Sequence, residues 1–114
     1  MFVRENIITF AKNSGAMLNK EYEFIEMKVC EYFNVCIDDL SSPKRKSDIA
    51  MARGFVFYIL HRIYHVSASK LAIEYKRSVR AVFWHVDKIS YLIKQRAYKE
   101  MYEQITHLIN TNPK

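Results

Sequence analysis

Apolar and polar positions follow helical spacing along most of this chain. Residues 22–33 carry one apolar stripe with charged residues on the other faces, and residues 35–40 fit a single short helical turn. Residues 47–65 are apolar on nearly all sides, which predicts a helix surrounded by others and therefore the central helix of the fold. Gly54 lies inside this helix, where it favours the close approach of a neighbouring helix. A weaker helical pattern covers residues 3–12.

Serine residues mark the predicted starts of three helices. Ser47 is expected to cap the central helix, Ser67 a short helix after it, and Ser78 a longer helix. Residues 76–77 form the turn between the short and the long helix. A last helix is predicted at about residues 98–110. The long helix should face inward through Val82, Val86, Ile89 and Ile93.

The composition predicts an all-α fold, a multi-helix bundle. Half of the 114 residues are apolar, enough for one hydrophobic core, and two glycines and two prolines are too few for the turns of a β-rich fold. We divide the chain into an N-terminal extension (1–20), expected to be helical, and a domain (21–114). The longest apolar run, residues 55–60, is far shorter than the ~20 residues that span a bilayer, and no signal peptide is visible. A cytoplasmic protein without membrane contact is expected.

Few residues offer chemistry. Cys30 and Cys36 do not form a Cys-x-x-Cys pair, and two free thiols in a reducing cytoplasm are expected. With only two glycines the chain cannot contain a nucleotide-binding P-loop. His61 and His65 have a metal-compatible spacing on one helix but lack a third ligand nearby in sequence. The sequence therefore predicts no enzyme, no cofactor and no metal.

Charge is distributed unevenly along the chain. Residues 41–100 contain 13 Lys/Arg and 4 Asp/Glu, whereas residues 1–40 contain 4 Lys/Arg and 7 Asp/Glu. A basic half beside an acidic half gives a polarised surface of the kind that binds an anionic partner.

The basic half has the layout of a helix-turn-helix DNA reader: a cationic loop, a helix, a short helix, a turn, and a helix that begins with cations. The loop, residues 41–46, contains Pro43 and is expected to contact phosphates or enter a minor groove, although a solvated loop would look the same. The start of the long helix is suited to base edges, and a capped surface helix with ordinary charges is the alternative. The candidate DNA-binding residues are Lys44, Arg45, Lys46, Lys76, Arg77, Ser78, Arg80, Trp84 and Lys88.

Trp84 is the only tryptophan and lies off the inward stripe of the long helix. It is one turn from Arg80 and one turn from Lys88. Three interpretations stay open: contact with the DNA backbone, a cation–π platform for Arg80, or half-burial against another segment such as the N-terminal extension.

These parts together resemble a known family. The matching residues run from Ile25 through Glu31-Tyr32-Phe33, the basic loop, Ile49-Ala50-Met51-Ala52-Arg53 and on to Arg77 and Val82…Val86-Asp87-Lys88-Ile89. Residues from about 24 to 95, and more loosely to 110, resemble the C-terminal DNA-binding domain of the bacterial replication initiator DnaA. The resemblance implies a Trp-repressor-like helix-turn-helix, a minor-groove loop with Arg45 and Lys46, and a role in DNA replication initiation.

The departures from the family signature indicate a divergent relative. The family signature is Gly-Gly-Arg-Asp-His-[Ser/Thr]-Thr-Val. In this chain Lys76 stands in place of the two glycines and Ser78 in place of Asp. Val79 stands in place of His, and Arg80-Ala81 in place of the two hydroxyl residues. We therefore expect a small stand-alone module that binds double-stranded DNA with altered or weakened specificity. The alternative is a helical module on the same scaffold that docks a protein partner or a second copy, with the N-terminal extension taking part.

Overall fold

Five α-helices and two short helical turns make up residues 19–111, the part of the chain that the computed structural model describes. The weak helical pattern over residues 3–12, and most of the proposed N-terminal extension, lie outside the described residues. No strand occurs in the described part, so the all-α prediction is confirmed. The elements are α1 (Asn19–Phe33), a 3₁₀ turn (Ile37–Ser41), α2 (Ser47–Tyr58), a π-helical turn (Ile59–Ile63), α3 (Ala68–Glu74), α4 (Val79–Leu92) and α5 (Arg96–Thr111).

Helix α2 and its π-helical extension form the centre of the fold, as the sequence predicted. Phe57 and Leu60 are fully buried. The helix ends at Ile63 rather than at residue 65, because His65 adopts a left-handed backbone with φ 62° that cannot continue it. The predicted cap was wrong: Lys46 occupies the N-cap position without a side-chain hydrogen bond, and Ser47 is already the first helical residue.

The close approach predicted at Gly54 occurs between α2 and α4. A Cβ atom at Gly54 would lie 3.1 Å from both Cδ1 and Cγ1 of Ile89 and 3.5 Å from Nδ1 of His85. Ile89 is buried, so its side chain has little room to retreat. The absence of a side chain at Gly54 therefore allows α4 to pack directly on the central helix.

Helices α3 and α4 form the predicted helix-turn-helix, and both serine caps are confirmed. Ser67 Oγ accepts a hydrogen bond from the Lys70 amide at 3.1 Å, and Ser78 Oγ accepts one from the Ala81 amide at 3.0 Å. Lys76 reverses the chain between the helices with φ 58°. The described helices include none that is long and apolar enough to cross a bilayer.

Helix α1 supports the helix-turn-helix from behind. The hydroxyl of Tyr75, at the end of α3, donates a hydrogen bond to the carboxylate of Glu26 on α1. Burial is the main reason that the pKa of Glu26 lies above its ordinary value. The turn that precedes α4 is thus attached to the acidic half of the chain.

Candidate nucleic-acid interface

The basic loop, residues 42–46, is held by a buried arginine of the central helix. Arg53 is only 4% exposed, and its Nε donates to the Leu40 carbonyl at 2.7 Å. Its Nη2 donates to the carbonyls of Asp39 and Ser42 at 3.0 Å each, with a longer contact of 3.4 Å to the Lys44 carbonyl. Because a guanidinium presents its donors in a fixed plane, these bonds fix where the loop leaves the 3₁₀ turn.

Arg53 is a residue that the sequence did not single out for this role. A buried guanidinium is stable only when its donors are satisfied, and backbone carbonyls satisfy them here. Burial, followed by the nearby positive charge of Arg77, lowers the pKa of Arg53 from its ordinary value. The apolar pattern around residue 53 predicted a buried helix. A cation inside that pattern was the one sequence signal that Arg53 would be buried and bound by acceptors of its own chain.

Arg77 joins the helix-turn-helix to the basic loop. Its Nη2 donates to the Ser42 carbonyl at 2.6 Å, and its Nη1 lies 3.3 Å from the carbonyls of Tyr75 and Lys76. Arg77 is half-buried, whereas it was expected among the DNA-contacting cations. The structure therefore brings the basic loop beside the residue that precedes the cap of α4.

The three cations of the basic loop are all exposed but not equivalent. Lys44 Nζ forms an ion pair with Asp39 Oδ1 at 3.0 Å, and this hydrogen bond lowers the pKa of the Asp39 carboxyl and raises that of the Lys44 amine. Arg45 and Lys46 form no ion pair within the described residues. Two loop cations are thus available to an anionic ligand, and a third shares its charge with a carboxylate.

The first turn of α4 and the turn before it present two further exposed cations. Lys76 is exposed at the left-handed turn position, and Arg80 is exposed in the first turn of α4. Arg80 makes no ion pair among residues 19–111. Ser78 uses its hydroxyl oxygen as the helix cap, so that oxygen already accepts one hydrogen bond.

Trp84 lies on the outward side of α4 and is 57% exposed. The expected packing of Trp84 against the N-terminal extension lies outside the described residues. The cation over its ring is Lys88, whose Nζ lies 5.0 Å from the ring centroid. Arg80 had been expected as a possible cation–π partner. The outward side of α4 thus alternates cations and aromatic rings in the order Arg80, Trp84, Lys88 and Tyr91.

Two further exposed aromatic side chains lie on α4: helical spacing had predicted Tyr91 on the same side as Arg80, Trp84 and Lys88, whereas Phe83 was not singled out. Phe83 is 44% exposed and Tyr91 is 65% exposed. Both lie off the inward stripe, so helical spacing gave a usable signal for them. Asp87 is exposed on the same helix, which concentrates the unopposed positive charge of α4 in its first turn.

His85 lies beneath this outward face. Its ring packs edge-on against Phe57 and against Trp84, with centroid distances of 5.3 Å and 5.0 Å. Burial, and then the positive charges of Arg53, Arg77 and Lys88, lower the pKa of His85 to about 4. The imidazole is therefore neutral near pH 7 and adds no charge to the surface.

The described residues contain no group of three or more His, Cys, Asp or Glu arranged to hold a metal ion. His61, the histidine with metal-compatible spacing to His65, instead places its Nδ1 2.8 Å from the Val66 carbonyl. Cys30 is buried and Cys36 is exposed, and both are free thiols.

Comparisons with known proteins give one consistent result. Residues 22–89 match the family described as bacterial dnaA protein helix-turn-helix. A chromosomal replication initiator protein DnaA from Thermoanaerobacter sp. is 32% identical over 73 residues, which is 64% of this chain and 16% of that protein, and the same figures hold for the one from Caldanaerobacter subterraneus subsp. tengcongensis. The DnaA of Buchnera aphidicola subsp. Cinara cedri is 28% identical over 88 residues, 76% of this chain and 20% of that protein.

The matched region contains the elements of the candidate interface. It includes the basic loop, Arg53, the turn at Lys76 and most of α4. The chain spans only about a sixth to a fifth of the length of these relatives. Since the family match covers more than half of the chain and coincides with the observed helix-turn-helix, this protein belongs to the bacterial DnaA helix-turn-helix family.

Proposed function

We propose that this chain is a DNA-binding module that holds duplex DNA between its basic loop and the start of α4. The observation that carries the proposal is the contact between Arg77 and Ser42, because it places these two elements side by side. In a helix-turn-helix the second helix enters the major groove, and neighbouring elements cross the backbone. Double-stranded DNA is accordingly the proposed partner.

The exposed cations supply the affinity in this proposal. Arg45 and Lys46 project from the loop and contact phosphates or the minor groove. Arg80, at the second position of α4, is placed to reach a base edge, and a guanine is the base that Arg reads most often. Lys76 and Lys88 add contacts to the backbone at the two ends of this region.

The proposal includes a sequence preference that differs from that of the DnaA relatives. The hydroxyl oxygen of Ser78 already accepts the capping hydrogen bond of α4. Val79 is apolar, whereas the DnaA family signature has His at this position. The polar base-reading set of the signature is thus largely absent, while the loop cations and the buried Val82 are present. Phosphate contacts therefore carry a larger share of the binding free energy than base contacts do.

A titration of the full chain against labelled duplexes tests this function. Mixed-sequence duplexes are titrated at several salt concentrations, with fluorescence anisotropy as the readout. If ~4–6 phosphates are neutralised, log K falls with log salt at a slope of roughly −4 to −5. A complex whose affinity is independent of salt, or no complex at low salt, would overturn the proposal.

One observation favours a second candidate function, self-association through the outward face of α4. Trp84 and Tyr91 are more than half exposed, and a row of exposed aromatic rings is typical of an interaction surface. Sedimentation velocity over a range of concentrations distinguishes the two. A dimer that Trp84→Ala dissociates, together with absence of DNA binding, would support this alternative.

A further inference from the structure

Both terminal nitrogens of the Arg77 guanidinium donate to backbone carbonyls of its own chain. Nη2 donates to Ser42 at 2.6 Å, while Nη1 lies 3.3 Å from the carbonyls of Tyr75 and Lys76. These bonds orient the guanidinium plane toward the loop. A phosphate contact would have to compete with these bonds.

The Ser42 carbonyl is shared by two arginines from different parts of the chain. Arg53 Nη2 donates to it at 3.0 Å from the central helix, and Arg77 Nη2 donates to it at 2.6 Å from the helix-turn-helix turn. Two like charges at one acceptor repel each other, and the lowered pKa of Arg53 reflects this in part. This repulsion costs some folding free energy, which the rest of the fold offsets. The two guanidinium groups meet at the Ser42 carbonyl.

Ser42 begins the basic loop, two residues before its first cation, Lys44. Its hydroxyl donates to the Asp39 carbonyl at 2.8 Å and accepts from the Lys44 amide at 3.2 Å, so the tether continues into the loop backbone. Arg77 lies 35 residues later, just before the cap of α4. The Arg77 side chain thus links the backbone of the loop to the residue that precedes the cap of α4.

We propose that Arg77 is a positioning residue that holds the basic loop against the start of α4, so that both engage one duplex, and that it does not itself bind DNA. The inference rests on the proposed function. It assigns Arg77 a task different from that of Arg80, three residues later, whose guanidinium is exposed and unpaired within residues 19–111.

A double-mutant cycle with a loop cation tests the inference. The affinity of the full chain for one duplex is measured for Arg77→Gln, Lys46→Ala and the double variant. If Arg77 acts through the loop, Lys46→Ala weakens binding about fivefold in the unmodified protein but less than about twofold in the Arg77→Gln background. Arg80→Ala with Lys46→Ala is the matched control, and these losses should multiply, because each side chain meets DNA separately.

The conservative variant Arg77→Lys distinguishes the loss of the hydrogen bonds to the loop from the loss of positive charge. An ammonium still binds a phosphate as a point charge, but it cannot reproduce the planar fork that reaches Ser42 and the turn carbonyls together. Arg77→Lys should therefore lose about as much affinity as Arg77→Gln. In the DNA-free protein it should also speed hydrogen exchange at the Lys44 amide about fivefold or more, with exchange in α2 unchanged as a check on folding.

Two results would overturn the inference alone. In the first, the double variant loses affinity by the product of the factors lost in Arg77→Gln and in Lys46→Ala. In the second, Arg77→Lys retains wild-type affinity and wild-type hydrogen exchange at the Lys44 amide. Either would make Arg77 a DNA contact and leave the proposed function standing. Failure of the unmodified chain to bind any duplex at low salt would overturn the proposed function, and this inference with it.

Discussion

The ammonium group of Lys44 lies 3.0 Å from Oδ1 of Asp39, so one cation of the basic loop already has an anionic partner. A cation that shares its charge with a carboxylate neutralises less phosphate charge and releases fewer counterions. We therefore expect Lys44→Ala to change the salt slope of DNA binding by less than ~0.5, and Lys46→Ala to change it by ~1. Affinity titrations at four salt concentrations measure both.

Asp39→Asn provides the control for this prediction. The amide oxygen of Asn still accepts a hydrogen bond, as Oδ2 of Asp39 does from the Cys36 amide, but the negative charge beside Lys44 is gone. In the Asp39→Asn background the Lys44 and Lys46 variants should change the slope equally. Equal slopes already in the wild-type protein would show that the ion pair does not persist in the presence of DNA.

Gly54→Ala should destabilise the fold. A helical Gly→Ala change gains about 0.8–1 kcal/mol of helix propensity, but the new Cβ would lie 3.1 Å from two atoms of buried Ile89. Overpacking of this kind costs about 1–3 kcal/mol, so the free energy of unfolding should fall by about 1 kcal/mol. Urea denaturation followed by circular dichroism measures the change.

The same substitution should have the opposite sign when its neighbour is shortened. Ile89→Ala removes the two atoms that the Cβ would approach to 3.1 Å and leaves His85 Nδ1, which at 3.5 Å is in ordinary van der Waals contact. Gly54→Ala in that background should raise the free energy of unfolding by up to about 1 kcal/mol relative to Ile89→Ala alone. A loss in both backgrounds would mean that contacts other than Ile89 oppose a side chain at position 54.

Local signals in the sequence predicted much of this fold, and tertiary hydrogen bonds explain what they missed. The caps at Ser67 and Ser78 depend on amides three residues away, so a short stretch of sequence contains all the information. The bonds from Arg53 and Arg77 to the Ser42 carbonyl join residues 11 and 35 positions apart. Every residue has a backbone carbonyl, so a sequence pattern cannot show which carbonyl a given arginine will bind. The sequence therefore placed Arg77 in the basic region but could not predict its hydrogen bond to Ser42.

The fold should lower the pKa of His85 to about 4, from 6.5 for the free side chain. The unfolded chain takes up a proton below about pH 6.5 and the folded chain only near pH 4, so stability falls as the pH falls through this window. The loss attributable to His85 should be about 1–2 kcal/mol at pH 4 after allowance for solvent screening. NMR titration of the imidazole measures the pKa, and His85→Gln should flatten this part of the stability profile. A His85 signal that titrates near pH 6.5 would contradict it.

Trp84 should report directly on contact with DNA. It is the only tryptophan, it is 57% exposed, and Lys88 Nζ lies 5.0 Å from its ring. In the free protein acrylamide should quench its fluorescence readily, and a saturating duplex should shift the emission and reduce the quenching. Lys88→Ala removes the cation beside the ring and controls for loss of that contact alone. Unchanged emission and quenching with bound DNA would show that this face of α4 does not meet the duplex.

Arg80 should contribute to sequence preference, and Lys46 to sequence-independent affinity for the phosphates. Arg80 is exposed in the first turn of α4, where a helix-turn-helix side chain reaches a base edge, whereas Lys46 is exposed at the end of the basic loop. Arg80→Ala should cost about 1–3 kcal/mol on a preferred site, obtained by selection from random duplexes, and little on random DNA. Lys46→Ala should weaken both complexes by about the same factor. The decisive quantity is the ratio of preferred-site to random-site affinity, which should fall for Arg80→Ala and stay constant for Lys46→Ala. If both variants lose the same factor on both duplexes, α4 does not read sequence, and the chain binds DNA through its phosphates alone.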